Sequence, residues 1–260
     1  MKTRGRIICM MILAVAVSQL MRGQEFKFTT GSSGIIKIQS LFGELYIEGI
    51  SGSDMIISTE DYKKPPPRAD GLKPLYSDKE DNTGIGLSVL EEPEQVIVTG
   101  ALKQSQDATY HIKVPESIDL VIDLSSPWAD DITIQNIKGE LDIKSLNSNI
   151  ELLEITGPAV IHSVNGRIEG NFLSISQENP SSVSTVNGII DMALPAGGPA
   201  NLEIGTNNGE AYSDLDLQFE KSEDGDMKRI GGNIIKGKLG NGGVSLKFIS
   251  VNGDIYLREK

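Results

Sequence analysis

Cysteine is all but missing from this sequence: Cys9 is the only one, and it sits at the start of an apolar run behind "RII" rather than after it behind small residues. That placement does not match a lipoprotein cysteine, so lipid anchoring through it is not expected, and the rest of the chain has no thiol or disulfide. Histidine is nearly as scarce. In "YHIKV" and "AVIHSV" the neighbours of His111 and His162 that alternate inward are Ile112 with Val114, and Ala159 with Ile161, so both imidazoles are expected to face solvent. With no "GxSxG" elbow in the chain, nothing suggests a nucleophile with its base. Long apolar runs are absent too. The longest, residues 7–17, holds eleven residues, against about 20 for a membrane-spanning helix.

That run follows Lys2, Arg4 and Arg6, the layout of a secretory signal, with cleavage expected near Gly23. Its removal leaves 20 basic against 36 acidic residues, a net charge of −16. Such a surface repels phosphate backbones and anionic lipid, which excludes nucleic acid as a partner class. The remaining length suffices for a sizeable all-β core.

What the chain has in quantity is a repeated phrase. "SVNGRIEG" at 163–170 returns as "TVNGIIDM" at 185–192 and "SVNGDIYL" at 250–257. With Asn165 as zero, Ser163, Ile161 and Ala159 stand two, four and six residues earlier and Ile168 three later; the frame refits at Asn187, Asn208, Asn252, and at Asn147, where Ser148 replaces the glycine. A further copy has Phe42 at zero, and "LVIDLSSPWADDITI" fits with one inserted residue. Spacing by two puts the three preceding residues on one face of a strand. The Asn-Gly pairs Asn165-Gly166, Asn187-Gly188, Asn208-Gly209 and Asn252-Gly253 supply a corner, for which glycine's positive φ is the expected reason. A second strand follows. The zero positions lie 18, 22, 21 and 44 residues apart, the last gap being long enough for one degenerate copy. Stacked coils explain the constant hydroxyl at minus two better than hairpins do. The expected fold is therefore an all-β β-solenoid of 18–22-residue repeats, with an antiparallel meander or sandwich as the alternative. Its domains are a signal segment (1–23), first β repeats (24–59), an insertion (60–83) and further repeats (84–260).

The frame "S-x-N-G-x-I" resembles the bacterial putative-adhesin family of β-strand repeats, a domain of unknown function common in cell-envelope proteins, and the related adhesin head-domain family. The resemblance covers 34–59 loosely and 120–257 well. It implies a solenoid-like fold, an envelope location and no catalytic residues.

Residues 60–83, "EDYKKPPPRADGLKPLYSDKEDNT", break the pattern with three consecutive prolines. A polar loop is expected there, with Tyr62, Arg68, Lys73 and Tyr76 as a recognition patch on a rigid scaffold. Trp128, in "WADD", adds a further aromatic; beside Asp130 and Asp131 it is the one place where a carbohydrate-active enzyme would find a platform and two acids. "SEDGD" (222–226) has oxygen ligands without the spacing of a calcium loop, and no cofactor or metal is expected. The function read from these features is a non-enzymatic exported envelope protein, adhesin or scaffold, that binds glycan or protein. A carbohydrate-active enzyme on a β-helix is one alternative. The other, suggested by a chain ending on its last repeat, is a periplasmic stress or signalling component.

Overall fold

The computed structural model describes residues 24–30, 34–75, 79–101, 108–219 and 234–260. The expected signal with Cys9, Tyr76 and the "SEDGD" stretch lie outside these residues. The first strands are β1 (Gln24–Thr29), β2 (Ile35–Gln39), β3 (Leu45–Ile50), β4 (Asp54–Thr59), β5 (Leu87–Glu91), β6 (Gln95–Gly100) and β7 (Tyr110–Pro115). Then come β8 (Asp119–Leu124), β9 (Ile132–Gln135), β10 (Leu141–Ser145), β11 (Ile150–Ile155), β12 (Ala159–Asn165), β13 (Ile168–Phe172), β14 (Ser181–Asn187) and β15 (Ile190–Leu194). The last are β16 (Ala200–Asn208), β17 (Ala211–Ser213), β18 (Leu217–Phe219), β19 (Ile234–Leu239), β20 (Val244–Asn252) and β21 (Ile255–Glu259). They form two mixed sheets, A in the order β1-β4-β7-β3-β9-β11-β13-β15-β21-β17 and B in the order β18-β19-β16-β20-β14-β12-β10-β8-β2-β6-β5.

The chain is all-β, and each repeat contributes one strand to each sheet. The Asn-Gly corners carry it from B to A instead of closing hairpins, so the antiparallel meander does not hold, although two sheets do face one another across one core as in a sandwich. Like slots pair with like slots through parallel strands. In B the minus-four residues run Ile143, Ile161, Val183, Phe248, Ile204; in A the plus-three residues run Leu45, Ile132, Ile150, Ile168, Ile190, Ile255, Ala211. These rows, apart from Ala211, are buried, and each large aliphatic side chain contributes about 1.5–3 kcal/mol.

The layers do not follow chain order. The C-terminal pair β20/β21 lies between β14/β15 and β16/β17, and the early pair β2/β3 lies between β6/β7 and β8/β9. The 44-residue gap holds no additional coil among the described residues. It contains β18 and β19, which pair antiparallel with each other, β19 also covering β16. At the opposite end β4 runs antiparallel on β7 with β1 beyond it, and β5 runs antiparallel on β6.

The corners show why glycine recurs. Of the four Asn-Gly glycines at the repeat corners, Gly166 alone has positive φ, +144°; the shared requirement is close approach. A Cβ on Gly166 would lie 2.1 Å from the Ser148 carbonyl oxygen, on Gly188 1.9 Å from that of Gly166, on Gly253 2.0 Å from that of Gly188, and on Gly209 2.3 Å from that of Gly253. Each corner thus presses on the layer before it. Ser148 begins the series, after the layer that carries the inserted residue; its side chain is buried and its hydroxyl has no hydrogen-bond partner. Three of the minus-two hydroxyls serve the same contact: Thr185, Ser250 and Thr206 donate to the carbonyls of Gly166, Gly188 and Gly253, whereas Ser145 accepts the Ser148 N–H and the buried Ser163 hydroxyl has no partner.

Outside the corner the zero-position amides form one chain of hydrogen bonds. Asn208 Nδ2 donates to Asn252 Oδ1 (2.8 Å), Asn252 to Asn187 (2.8 Å), Asn187 to Asn165 (2.8 Å), Asn165 to Asn147 (2.9 Å), and Asn147 to the Pro127 carbonyl (3.1 Å). Each bond contributes about 1 kcal/mol. Replacing Gly188 by Ala forces a methyl into a backbone oxygen and should cost about 3 kcal/mol, whereas Gly34→Ala, with nothing within 4 Å, should leave the urea midpoint unchanged. Equal midpoints for the two variants would refute the close-approach account.

Candidate functional site

Because the plus-three side chains of sheet A point into the core, the plus-four side chains point out. Pairing aligns them in one row: His111, Tyr46, Thr133, Glu151, Glu169, Asp191, Tyr256, Tyr212. Two residues further along the strands, β7, β3 and β9 present Lys113, Glu48 and Gln135. Between these rows lies a depression of about 160 Å³ lined by Tyr46, Thr133, Glu48, Lys113, Gln135 and His111 over Ile47 and Ile112.

One wall is aromatic: Tyr46 and His111 stack with ring centroids 4.9 Å apart and planes at 15°. The other is polar, with Lys113 Nζ 3.8 Å from Glu48 Oε2 and the Gln135 amide beside them. Tyr46 donates to Glu44 Oε2 at 3.4 Å, and the Glu44 charge holds the phenol above its ordinary pKa. At the far end of the row Tyr212 stacks on Tyr256 (5.4 Å, 13°), while Arg258 lies 5.6 Å from the Tyr256 ring and forms a two-point pair with Asp191 at 2.7 and 2.8 Å.

The residues expected from the sequence are distributed differently. Tyr62 does not belong to a recognition surface: it is 5 % exposed, packs on Gly86 and donates to Asp81 Oδ2 at 3.4 Å. Asp81 also accepts the Thr83, Gly84 and Gly86 amides, and Asn82 exchanges two hydrogen bonds with Val89, so both ends of the 60–83 segment are built into the fold. An apolar ring beside a capped turn explains the burial, which composition alone concealed. Arg68 and Lys73 are exposed on a loop that includes a 3-10 turn at Pro67–Ala69. Trp128 is 73 % exposed in the corner leading into β9, the strand that supplies Thr133 and Gln135 to the depression.

Asp130 and Asp131 are occupied in the corner. Asp131 accepts the Asn149 backbone N–H (3.0 Å) and Nδ2 (3.1 Å), and Asp130 accepts the Asp131 N–H (3.0 Å). His162 faces outward and meets Ser184 Oγ at 3.1 Å. Sequence reasoning concentrated on inward slots and overlooked Tyr46; the signal was the plus-four column, where Tyr46, Tyr212 and Tyr256 stand among Glu151, Glu169 and Asp191.

No protein-family model matches the chain, and no curated protein matches it. Among solved structures it is similar to a putative cell adhesion protein from Clostridium sporogenes, at 14% identity over 92% of this chain and 100% of that one, with a TM-score of 0.44. A putative adhesin from Bacteroides fragilis gives 11% identity, 92% and 98% coverage and a TM-score of 0.44. A third, from Parabacteroides merdae, gives 12%, 91% and 95%, and 0.25.

Proteases that cut after Lys or Arg should cleave the native protein between residues 63 and 75, leaving the remainder folded, while Tyr62→Ala should cost about 3 kcal/mol. Burial, then the Asp81 charge, pushes the Tyr62 pKa from 10.0 up to about 12. The neutral phenol is the favoured folded form, so its contribution is complete below pH 10 and declines as pH rises toward 12. Denaturant midpoints across that interval should therefore fall more steeply for the native sequence than for Tyr62→Phe; parallel curves would refute the assignment.

Proposed function

We propose that this chain is an exported, non-enzymatic binding module of the cell envelope, an adhesin in the broad sense, and that the Tyr46–His111 depression holds one residue of a neutral glycan. The observation that carries this reading is the pairing of an aromatic wall with a polar one. Two residues along a strand separate the rows by about 6.7 Å, and the depression of about 160 Å³ between them is of the size of a single sugar residue. Its C–H face can pack on an aromatic ring while its hydroxyls bond to Glu48, Lys113 and Gln135. The charge of −16 without residues 1–23 disfavours uronate or sialate polymers. The scaffold, on this reading, is a flattened β-solenoid, supported by the parallel, like-on-like pairing of successive repeats. The non-enzymatic part is supported by Asp130 and Asp131 being committed to corner amides.

Calorimetric titration with neutral, amino and acidic oligosaccharides tests the assignment. Binding of a neutral sugar should weaken about tenfold in Tyr46→Ala, the loss of one aromatic contact, and should be unchanged in Leu75→Ala, an exposed loop position. Binding indifferent to Tyr46, or a protein ligand alone, would overturn it. The same sugars should show no turnover; turnover that disappears in Asp130→Ala/Asp131→Ala would make the chain an enzyme.

A further inference from the structure

Asn-Gly occurs five times, at Asn165, Asn187, Asn208, Asn241 and Asn252. It is the dipeptide in which the backbone most readily attacks a side chain, because glycine has no Cβ to hinder the approach. The glycine nitrogen forms a bond to the asparagine Cγ and loses its proton, and the carboxamide nitrogen departs as ammonia. Water then opens the resulting succinimide at either carbonyl, giving aspartate or isoaspartate. The reaction requires the glycine N–H to be available and the carboxamide to turn toward it.

The ladder grades these conditions from one layer to the next. Asn165 and Asn187 are each held on both sides, Nδ2 donating to one neighbour and Oδ1 accepting from the other, and their glycine N–H groups donate to the Asn187 and Asn252 carbonyls at 3.2 Å. Asn252 is held on both sides as well; among the described residues its Gly253 N–H has no partner, so its protection rests on the restrained carboxamide alone. Asn208 ends the ladder. Its Nδ2 donates to Asn252 at 2.8 Å, but among the described residues neither its Oδ1 nor the Gly209 N–H has a partner. The strand that follows, β17, is three residues long, exposed throughout and last in sheet A, which makes local opening cheap.

We propose that Asn208–Gly209 is a site of spontaneous, succinimide-mediated deamidation in the folded protein, and that position in the ladder protects Asn165, Asn187 and Asn252. The product would place a carboxylate next to Glu210, whose backbone N–H already donates to Asp254, and would remove the donor to Asn252. Isoaspartate would also lengthen the backbone by one methylene where β16 is in register with β20.

The test is peptide mapping by mass spectrometry of the folded protein during incubation at mildly alkaline pH, with isoaspartate measured at each Asn-Gly. Asn208 should convert about tenfold or more faster than Asn165, Asn187 and Asn252. In concentrated urea the four rates should converge. Asn241, in a turn outside the ladder, reports that conditions support the chemistry. Equal rates among the four in the folded protein, or an intact Asn208 while Asn241 reacts, would overturn the proposal.

Discussion

The close approach of one corner to the next governs this structure. A glycine Cα held against a carbonyl oxygen of the neighbouring layer leaves no room for a side chain, as the 1.9 Å between a Gly188 Cβ and the Gly166 oxygen makes plain. Once the corners touch, the strands on either side are fixed in register, because a slip of one residue would turn every core side chain outward. Hydroxyls at minus two and amides at zero then meet their counterparts at hydrogen-bonding distance. The apolar rows supply most of the stabilisation, but the corner decides which arrangement of those rows is reached. Local and long-range preferences agree at the Asn187, Asn252 and Asn208 corners, the condition for a single well-defined native state, whereas the buried Ser148 and Ser163 hydroxyls have no partner.

Much of this was legible because a stacked fold writes each spatial neighbour as a sequence equivalence. Inward slots, the corner and the Asn165–Asn187 bond all follow from reading copies in one frame. The order of layers did not follow, and for a physical reason: when every layer has the same surface chemistry, sequence proximity no longer says which layer touches which. Asn252 fits between Asn187 and Asn208 as well as beyond them. The β6/β7 layer was missed because no Asn-Gly marks its corner. The capping strands were missed because they lack the frame altogether. Tyr62 was misplaced because burial depended on Asp81 and Gly86 closing over it, contacts that composition does not encode.

The ends of the stack show the converse problem. Repetition creates edges ready to pair with another chain. Antiparallel strands cover three of them: β4 with β1 on β7, β5 on β6, and β19 with β18 on β16. The fourth, β17, is short and flanked by Glu210, Asp214 and Asp216. A second copy paired antiparallel about Tyr212 would bring Glu210 opposite Asp214, two like charges that oppose the contact. Shortness and charge thus do at this edge what covering strands do elsewhere.

The uniformity of the stack also bears on where binding can occur. A slot that must match its neighbours in the next layer is not free to vary, so recognition has to use positions released from that constraint. Outward residues of sheet A are released, since they meet solvent instead of the core. The plus-four slot carries an acid in three successive copies, Glu151, Glu169 and Asp191, and an aromatic where the row nears its ends, Tyr46 on one side and Tyr256 with Tyr212 on the other. Trp128 stands in the one corner that departs from the frame by an inserted residue. The departures gather around β3, β7 and β9, where Tyr46 and His111 oppose Glu48, Lys113 and Gln135 across one hollow. Regular layers provide a rigid base, and under the proposed glycan-binding function the residues exempt from their regularity are those that meet the ligand.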